Sequence, residues 1–313
     1  MSVALRAAAQ TSAIPVVGFL CTANPEAWAQ RVAAFRAGLA ETGFVDGRDV
    51  TMEYRWADGR FERLPAMAAD LVKRQVSLIA ATGGTAAVQA AKAATSTIPV
   101  VFTLGNDPVK LGLVASLNRP GGNVTGVSNV FLEIAPKLLG VLRELAPKVT
   151  VVAFLVESGN PMATPQSNAT LEAARGLGVQ LKVVRVGADM DLDAAFASLD
   201  RLKVDAVMLG SDPRFLIRRD KVVALAARYR LPAIYFEREF VVAGGLASYG
   251  TNVVDSYRLA GVYAGRILKG AKPADLPILQ PDRIELVINR TTAKSLGLTV
   301  PQALLLRADE VIQ

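Results

Sequence analysis

Residues 77–107 read SLIAATGGTAAVQAAKAATSTIPVVFTLGND, and this run decides the fold. Ser77 to Ala81 is a short apolar stretch of the kind that forms a strand covered on both faces. Thr82-Gly83-Gly84-Thr85 turns the chain, and an alanine-rich helix follows from Thr85 to Ala94. Pro99 closes that helix, because proline disfavours helical geometry at the residue before it. Val100 to Thr103 makes a second strand, followed by the loop Leu104-Gly105-Asn106-Asp107-Pro108. Strand, loop, helix, strand is the repeating unit of a parallel α/β sheet, where both loops fall at the carboxyl ends of adjacent strands and such folds bind ligands. The Gly83-Gly84-Thr85 loop also opens a helix, whose free N–H groups and positive dipole end attract an anion.

The same pattern extends in both directions. Ile14 to Leu20 is a first strand, and Cys21-Thr22-Ala23-Asn24-Pro25 is its loop, with Pro25 suited to a helix start. Trp28, Val32, Phe35 and Leu39 repeat on one helical face, which Gly43 terminates. Val50 to Arg55 alternates as an edge strand, and Phe61 to Arg74 is an amphipathic helix. Downstream, Val109 to Leu117 reads as a short helix, Arg119 to Asn123 as a turn and Val124 to Val127 as a strand. A second array begins with a helix over 131–145. Strands over 149–156, 179–186, 205–209, 233–236 and 246–249 then alternate with helices. The helix Asn252 to Leu268 carries Val253, Tyr257, Ala260, Ala264 and Ile267 on one face, and Gly261, Ala264 and Gly265 favour close packing. Ile284 to Ile288 is a last strand, and the tail Ser295 to Ile312 alternates turns with apolar residues. The fold class is therefore α/β, with two doubly wound parallel-sheet lobes and a ligand cleft between them.

Composition narrows the chemistry. The 313 residues are 51% hydrophobic and 20% charged, which is globular rather than disordered. No apolar run approaches the roughly 20 residues of a membrane-spanning helix. The net charge of +7 is scattered among acids, without the basic stripe of a nucleic-acid binder. There is no histidine, which excludes His-based triads, bases and metal sites. The single Cys21 can form no intrachain disulfide and reads as a small core residue. Nucleophile-elbow, phosphate-loop and dinucleotide motifs are absent, which leaves an enzyme only carboxylates such as Glu157, Asp212 and Glu237.

Several runs together resemble one family. FRAGLAETGFVDGRDVTMEYRWADG, LPAMAADLV, ATGGTAAVQAAKAATSTIPVVF, NDPVKLGLVASLNRPGGNVTGVSN, LPAIYFEREFVVAGGLASYGTN, ILKGAKPADLPILQP, ELVINRTTAKSLGL and VPQALLLRADEVI occur in order over nearly the whole chain from Ile14. They are similar to the ABC transporter substrate-binding proteins that include tryptophan/tyrosine uptake proteins. The resemblance implies a type 1 periplasmic-binding fold that closes around a small solute and delivers it to a membrane ABC permease. It implies no catalysis, no cofactor and no metal, an aromatic or branched amino acid as ligand, a monomer, and a periplasmic location. An N-terminal lobe is expected over 14–128 plus 250–280 and a C-terminal lobe over 129–249 plus 281–313. Residues 1–13 are expected to be a leader remnant or disordered. An effector-binding sensor of the same fold is the alternative.

A bound amino acid needs an anion site, a carboxylate for its ammonium and a side-chain pocket. Gly84 and Thr85 suit the ligand carboxylate, with Thr103 and Asn106 on the neighbouring loop and Asn24 after the first strand. Asp107 either joins them or caps the segment after Pro108. By topological analogy with leucine/isoleucine/valine-binding proteins, Glu237 is the first choice for the ammonium and Asp212 the competitor. Tyr249, Trp28, Tyr235 and Phe236 are candidate walls, with Phe236 and Trp28 equally readable as core.

Overall fold

A computed structural model describes residues 14–129, 131–187, 189–281 and 283–313; the expectation for residues 1–13 lies outside the described residues. The run that opens the sequence reading forms β3 (Leu78–Thr82), α3 (Thr85–Ala94) and β4 (Val100–Leu104), and every residue of both strands is buried. Around it lie β1 (Val16–Cys21), α1 (Pro25–Glu41), β2 (Thr51–Trp56), α2 (Leu64–Lys73) and β5 (Val124–Ser128). Their sheet has the order β2-β1-β3-β4-β5 with all neighbours parallel. The strand order reverses between β1 and β3, so the loops after them diverge to opposite faces and leave a crevice.

The second sheet is larger. It is built from β6 (Val151–Glu157), β7 (Gln180–Val186), β8 (Ala206–Leu209), β9 (Ala233–Tyr235), β10 (Ala247–Thr251), β11 (Ile284–Asn289) and β12 (Glu310–Ile312). Helices α4 (Phe131–Leu145), α5 (Ala163–Gly176), α6 (Leu192–Arg201), α7 (Pro213–Ile217), α8 (Arg219–Arg228) and α9 (Glu239–Val242) connect its strands. The order is β12-β11-β10-β9-β8-β6-β7, and β11 runs antiparallel to β10, a departure from the purely parallel expectation. The tail is more regular than its turn-rich sequence implies: α11 (Arg290–Ser295) and α12 (Gln302–Arg307) lead to β12, which pairs with β11.

The expected helix over 109–117 is a series of turns instead. Gly112 adopts φ +65°, and Lys92 Nζ donates to the carbonyls of Gly112 and Leu113 at 2.6 and 2.9 Å, fixing the open backbone. Gly112 leaves the helical region at little steric cost, and this breaks the apolar periodicity that suggested a helix.

The chain passes between the sheets after β5, after β10, and between Leu279 and β11. The middle crossing delivers α10 (Val253–Leu268) back to the five-stranded sheet, where it packs on α1 and on β3, β4 and β5. Its N-cap is Asn252, whose side chain accepts from the Asp255 N–H at 3.0 Å. The expected small-residue face meets α1 at backbone distance. A Cβ on Gly38 would lie 1.9 Å from the Arg258 carbonyl oxygen, one on Gly261 2.1 Å from that of Phe35, and one on Gly265 1.7 Å from Thr42 Oγ1. This contact holds α1, and every side chain it presents to the cleft, in one position.

Gly261→Val is therefore expected to force α1 and α10 apart and cost about 2–3 kcal/mol, read as a lower denaturation midpoint. Gly140→Ala is the opposite case: no atom lies within 4 Å of its added Cβ in α4, so it should stabilise by about 0.5–1 kcal/mol. Equal midpoints for the two variants would contradict the close-packing account.

Candidate functional site

The site begins at the loop between β3 and α3. Gly83 and Gly84 have φ of +82° and +122°, and a Cβ on Gly83 would lie 2.3 Å from Thr22 Oγ1. Glycine is required here for both reasons. Thr22 Oγ1 donates to the Gly83 carbonyl at 2.7 Å, joining the loops after β1 and β3. Gly84 is the N-cap of α3 and supplies no side-chain acceptor, so the first N–H groups of the helix face the cleft without a cap. Asn106 Nδ2 donates to Thr85 Oγ1 at 2.5 Å, and Ser128 Oγ donates to the Asn106 carbonyl at 3.0 Å. The loops after β3, β4 and β5 are thereby locked as one polar wall.

The opposing wall comes from the seven-stranded sheet. Asp212, after β8, is 3% exposed; it accepts from the Arg214 N–H at 2.7 Å and from Asn160 Nδ2 at 2.8 Å. Burial first, and then the charge of Glu157, push its carboxyl up to about 6 against those hydrogen bonds and Arg214. Asp212 forms no ion pair among the described residues. The neighbouring Pro213 Cγ is 3.5 Å from where a Gly84 Cβ would stand, which brings the loop after β8 up to the start of α3. Glu157, buried at the end of β6, takes Arg214 Nη1 at 2.6 Å, and the Arg214 guanidinium lies 4.0 Å over the ring of Phe61 in the other lobe.

A second cluster lies on the α1 side of the cleft. Arg31 is 2% exposed on α1, stacked 4.6 Å over Trp28. Its Nη2 pairs with Glu237, just after β9, and lies 3.2 Å from Glu239 Oε1. Burial drives the Glu237 carboxyl up, with Arg31 opposing and Glu239 reinforcing the rise. Burial acts to lower the Arg31 pKa, but the carboxylates of Glu237 and Glu239 outweigh it and keep the guanidinium charged. Trp28 Nε1 donates to the Tyr257 hydroxyl at 2.7 Å, tying α1 to α10 beside the pair.

Between these walls lies a cavity of about 230 Å³, below the roughly 300–1,000 Å³ of drug-sized pockets and therefore suited to a small solute. Of the expected residues, Gly84, Thr85, Thr103, Asn106, Asp212 and Glu237 line it, with Trp28 and Phe236. Asn24, Asp107 and Tyr249 do not. Asn24 caps α1 through the Ala27 N–H and donates to Asp58. Asp107 is exposed and accepts from the N–H groups of Val109 and Lys110. Tyr249 packs against the core on β10. Tyr235 is fully buried, stacked on Phe240 away from the cavity. Sequence reasoning passed over Arg31, Asn160 and Phe61. The signal for Arg31 was its place on the buried face of α1 with Trp28 and Phe35. Among the described residues no group of His, Cys, Asp and Glu is arranged to hold a metal ion.

A sequence model of the ABC transporter substrate binding protein family matches residues 17–312. A tyrosine-binding protein of Clostridioides difficile is 28% identical over 264 residues, covering 84% of this chain and 75% of the relative. Two solved structures each cover 96% of this chain and all of theirs. One, an ABC domain from Streptococcus pneumoniae in complex with L-Trp, superposes with a TM-score of 0.86 at 27% identity. The other, a ligand-free, open substrate-binding protein with adhesive properties from Clostridium difficile, superposes at 0.68 and 25% identity. Among the described residues no helix is long and apolar enough to cross a membrane.

The Arg31 pair generates a stability prediction. Arg31→Met strands Glu237 in a buried site and should cost about 3 kcal/mol, measured by chemical denaturation. Adding Glu237→Leu should recover part of that loss. A double variant less stable than the sum of the two single changes would contradict the pairing.

Proposed function

We propose that this chain, which belongs to the ABC transporter substrate-binding protein family, closes its two lobes around a zwitterionic α-amino acid and presents it to a membrane permease from outside the cytoplasm. The ligand carboxylate lies against the uncapped start of α3, and Asp212 takes the ammonium. One observation carries this reading: a helix N-terminus without a side-chain cap and a buried acid without an ion pair line the same cavity, on loops that meet at Gly84 and Pro213. The two charged groups of an α-amino acid sit on the same carbon, so their sites must be neighbours. Asp212 meets that condition beside Gly84. Glu237 is already held by Arg31, which favours Asp212 over Glu237 as the ammonium acceptor.

The remaining lining supports an aromatic side chain. Trp28, Phe61, Phe236 and Tyr257 all face the cavity, and flat rings bury large apolar area with few rotamers to freeze. The similarity to a tyrosine-binding relative and to a relative holding L-Trp supports the same class. Arg31 with Glu237 and Arg214 over Phe61 bridge the lobes, and they are the contacts through which closure is communicated. The hinge runs through the three crossings, where Ser256 Oγ on α10 donates to Asn129 Oδ1 at 2.7 Å.

Asp212→Asn should weaken binding of L-tyrosine or L-tryptophan by about 2–5 kcal/mol in titration calorimetry and leave the deaminated analogues nearly unaffected. The pH dependence has a definite sign. The ammonium needs the ionised carboxylate, whose pKa in the ligand-free protein is about 6. Affinity is full above that value and falls towards tenfold per unit as pH drops through it. The Asn variant should lose this dependence. Unchanged affinity in Asp212→Asn, with the same pH profile as the native protein, would remove Asp212 from the ammonium site.

A further inference from the structure

We infer that Arg31 and Glu237 form a specificity site for a hydroxyl at the far end of the ligand side chain; this rests on the amino-acid reading above. Arg31 lines the cavity yet is 2% exposed, and its hydrogen bonds and ion pairs run from Nη2 alone. Among the described residues its other guanidinium N–H groups donate to nothing. Glu237 likewise commits Oε2 to Arg31, and its Oε1 accepts from no described residue. Arg31 and Glu237 both border the cavity, so a polar ligand group can meet these free atoms without displacing a protein partner. The cavity therefore presents, side by side, donors that need an acceptor and an acceptor that needs a donor.

The position of this pair fixes which end of the ligand it reads. α1 packs with α10 in one core, and α3 packs with α2 in another on the opposite face of the five-stranded sheet. Asp212 and the start of α3 stand together on the α3 side, and Arg31 is two turns into α1 on the other. A ligand anchored by its α-carbon groups at Asp212 reaches Arg31 only with its side chain. Glu237 and Glu239 already flank Arg31, so a second ligand carboxylate would meet two acids and is disfavoured, and a neutral group fits. A hydroxyl accepts from Arg31 and donates to Glu237 at once. A phenyl ring does neither, and an aliphatic chain does neither.

The test is a calorimetric comparison of L-tyrosine, L-phenylalanine and L-leucine on the intact protein. The native protein should bind L-tyrosine about 10- to 100-fold more tightly than L-phenylalanine, the range for a hydrogen bond to a charged group. Arg31→Met should bring that ratio close to one. Glu237→Gln, which keeps an acceptor and the side-chain shape, should lower it only in part. If Arg31→Met does not fold, O-methyl-L-tyrosine on the native protein replaces it: the ether cannot donate to Glu237, so it should lose most of the tyrosine advantage. Equal binding of tyrosine and phenylalanine, or a ratio that survives Arg31→Met, overturns the specificity site while leaving the amino-acid reading in place. Failure of all three amino acids to bind overturns both.

Discussion

A guanidinium that is buried and cannot give up its proton has to be matched by carboxylate, and for Arg31 the carboxylates come from the other lobe. That constraint organises the cleft. Arg31 is fixed because α1 is fixed, and α1 is fixed because Gly38, Gly261 and Gly265 bring it to backbone distance from α10. α10 in turn reaches α1 only because the chain leaves the seven-stranded sheet after β10 and returns to it at β11. Helix packing, chain crossing and the ion pair form one packed path from the crossings to the cleft.

Around that path the cleft sorts its acids by partner. Glu157 is tied to Arg214 and Glu237 to Arg31. Asp212 has no ion pair among the described residues, only Asn160 Nδ2 and a backbone N–H as donors, and burial, with Glu157 nearby, raises its pKa against them. A buried acid without an ion pair, on the same cavity as a helix start without a cap, is an incomplete electrostatic arrangement of the kind the proposed zwitterion would complete. The two paired acids each tie a buried or nearly buried arginine at the cleft. Three carboxylates of similar sequence context thus acquire different roles from what stands beside them.

Much of this was legible in the sequence. The apolar strands, the Gly83-Gly84-Thr85 turn and the small face of α10 each follow from local rules on periodicity, positive φ and side-chain size. The loops after β3 and β4 were read as neighbours because parallel topology places the ends of adjacent strands together, and Asn106 Nδ2 on Thr85 Oγ1 joins them. Part of what stayed hidden depends on long-range partners, and part on local backbone hydrogen bonds. Glu237 looked like a free acid because Arg31 lies 206 positions away. Asn24 looked like a ligand contact and Asp107 like either a contact or a cap, but backbone N–H groups two or three residues on claim their oxygens. The segment after Asp107 carried a helical apolar rhythm, which Gly112 and the reach of Lys92 override. Tyr249 follows a glycine pair near a chain crossing, a place that suits a cleft residue, yet strand register turns it to the core.

The most direct measurement is a crystal structure of the protein grown with L-tyrosine. The account predicts closed lobes, the ligand carboxylate on the N–H groups at the start of α3, the ammonium within hydrogen-bond distance of Asp212, and the phenol at Arg31 and Glu237. A ligand in the reverse orientation, with its ammonium on Glu237 and Arg31 displaced, would contradict it.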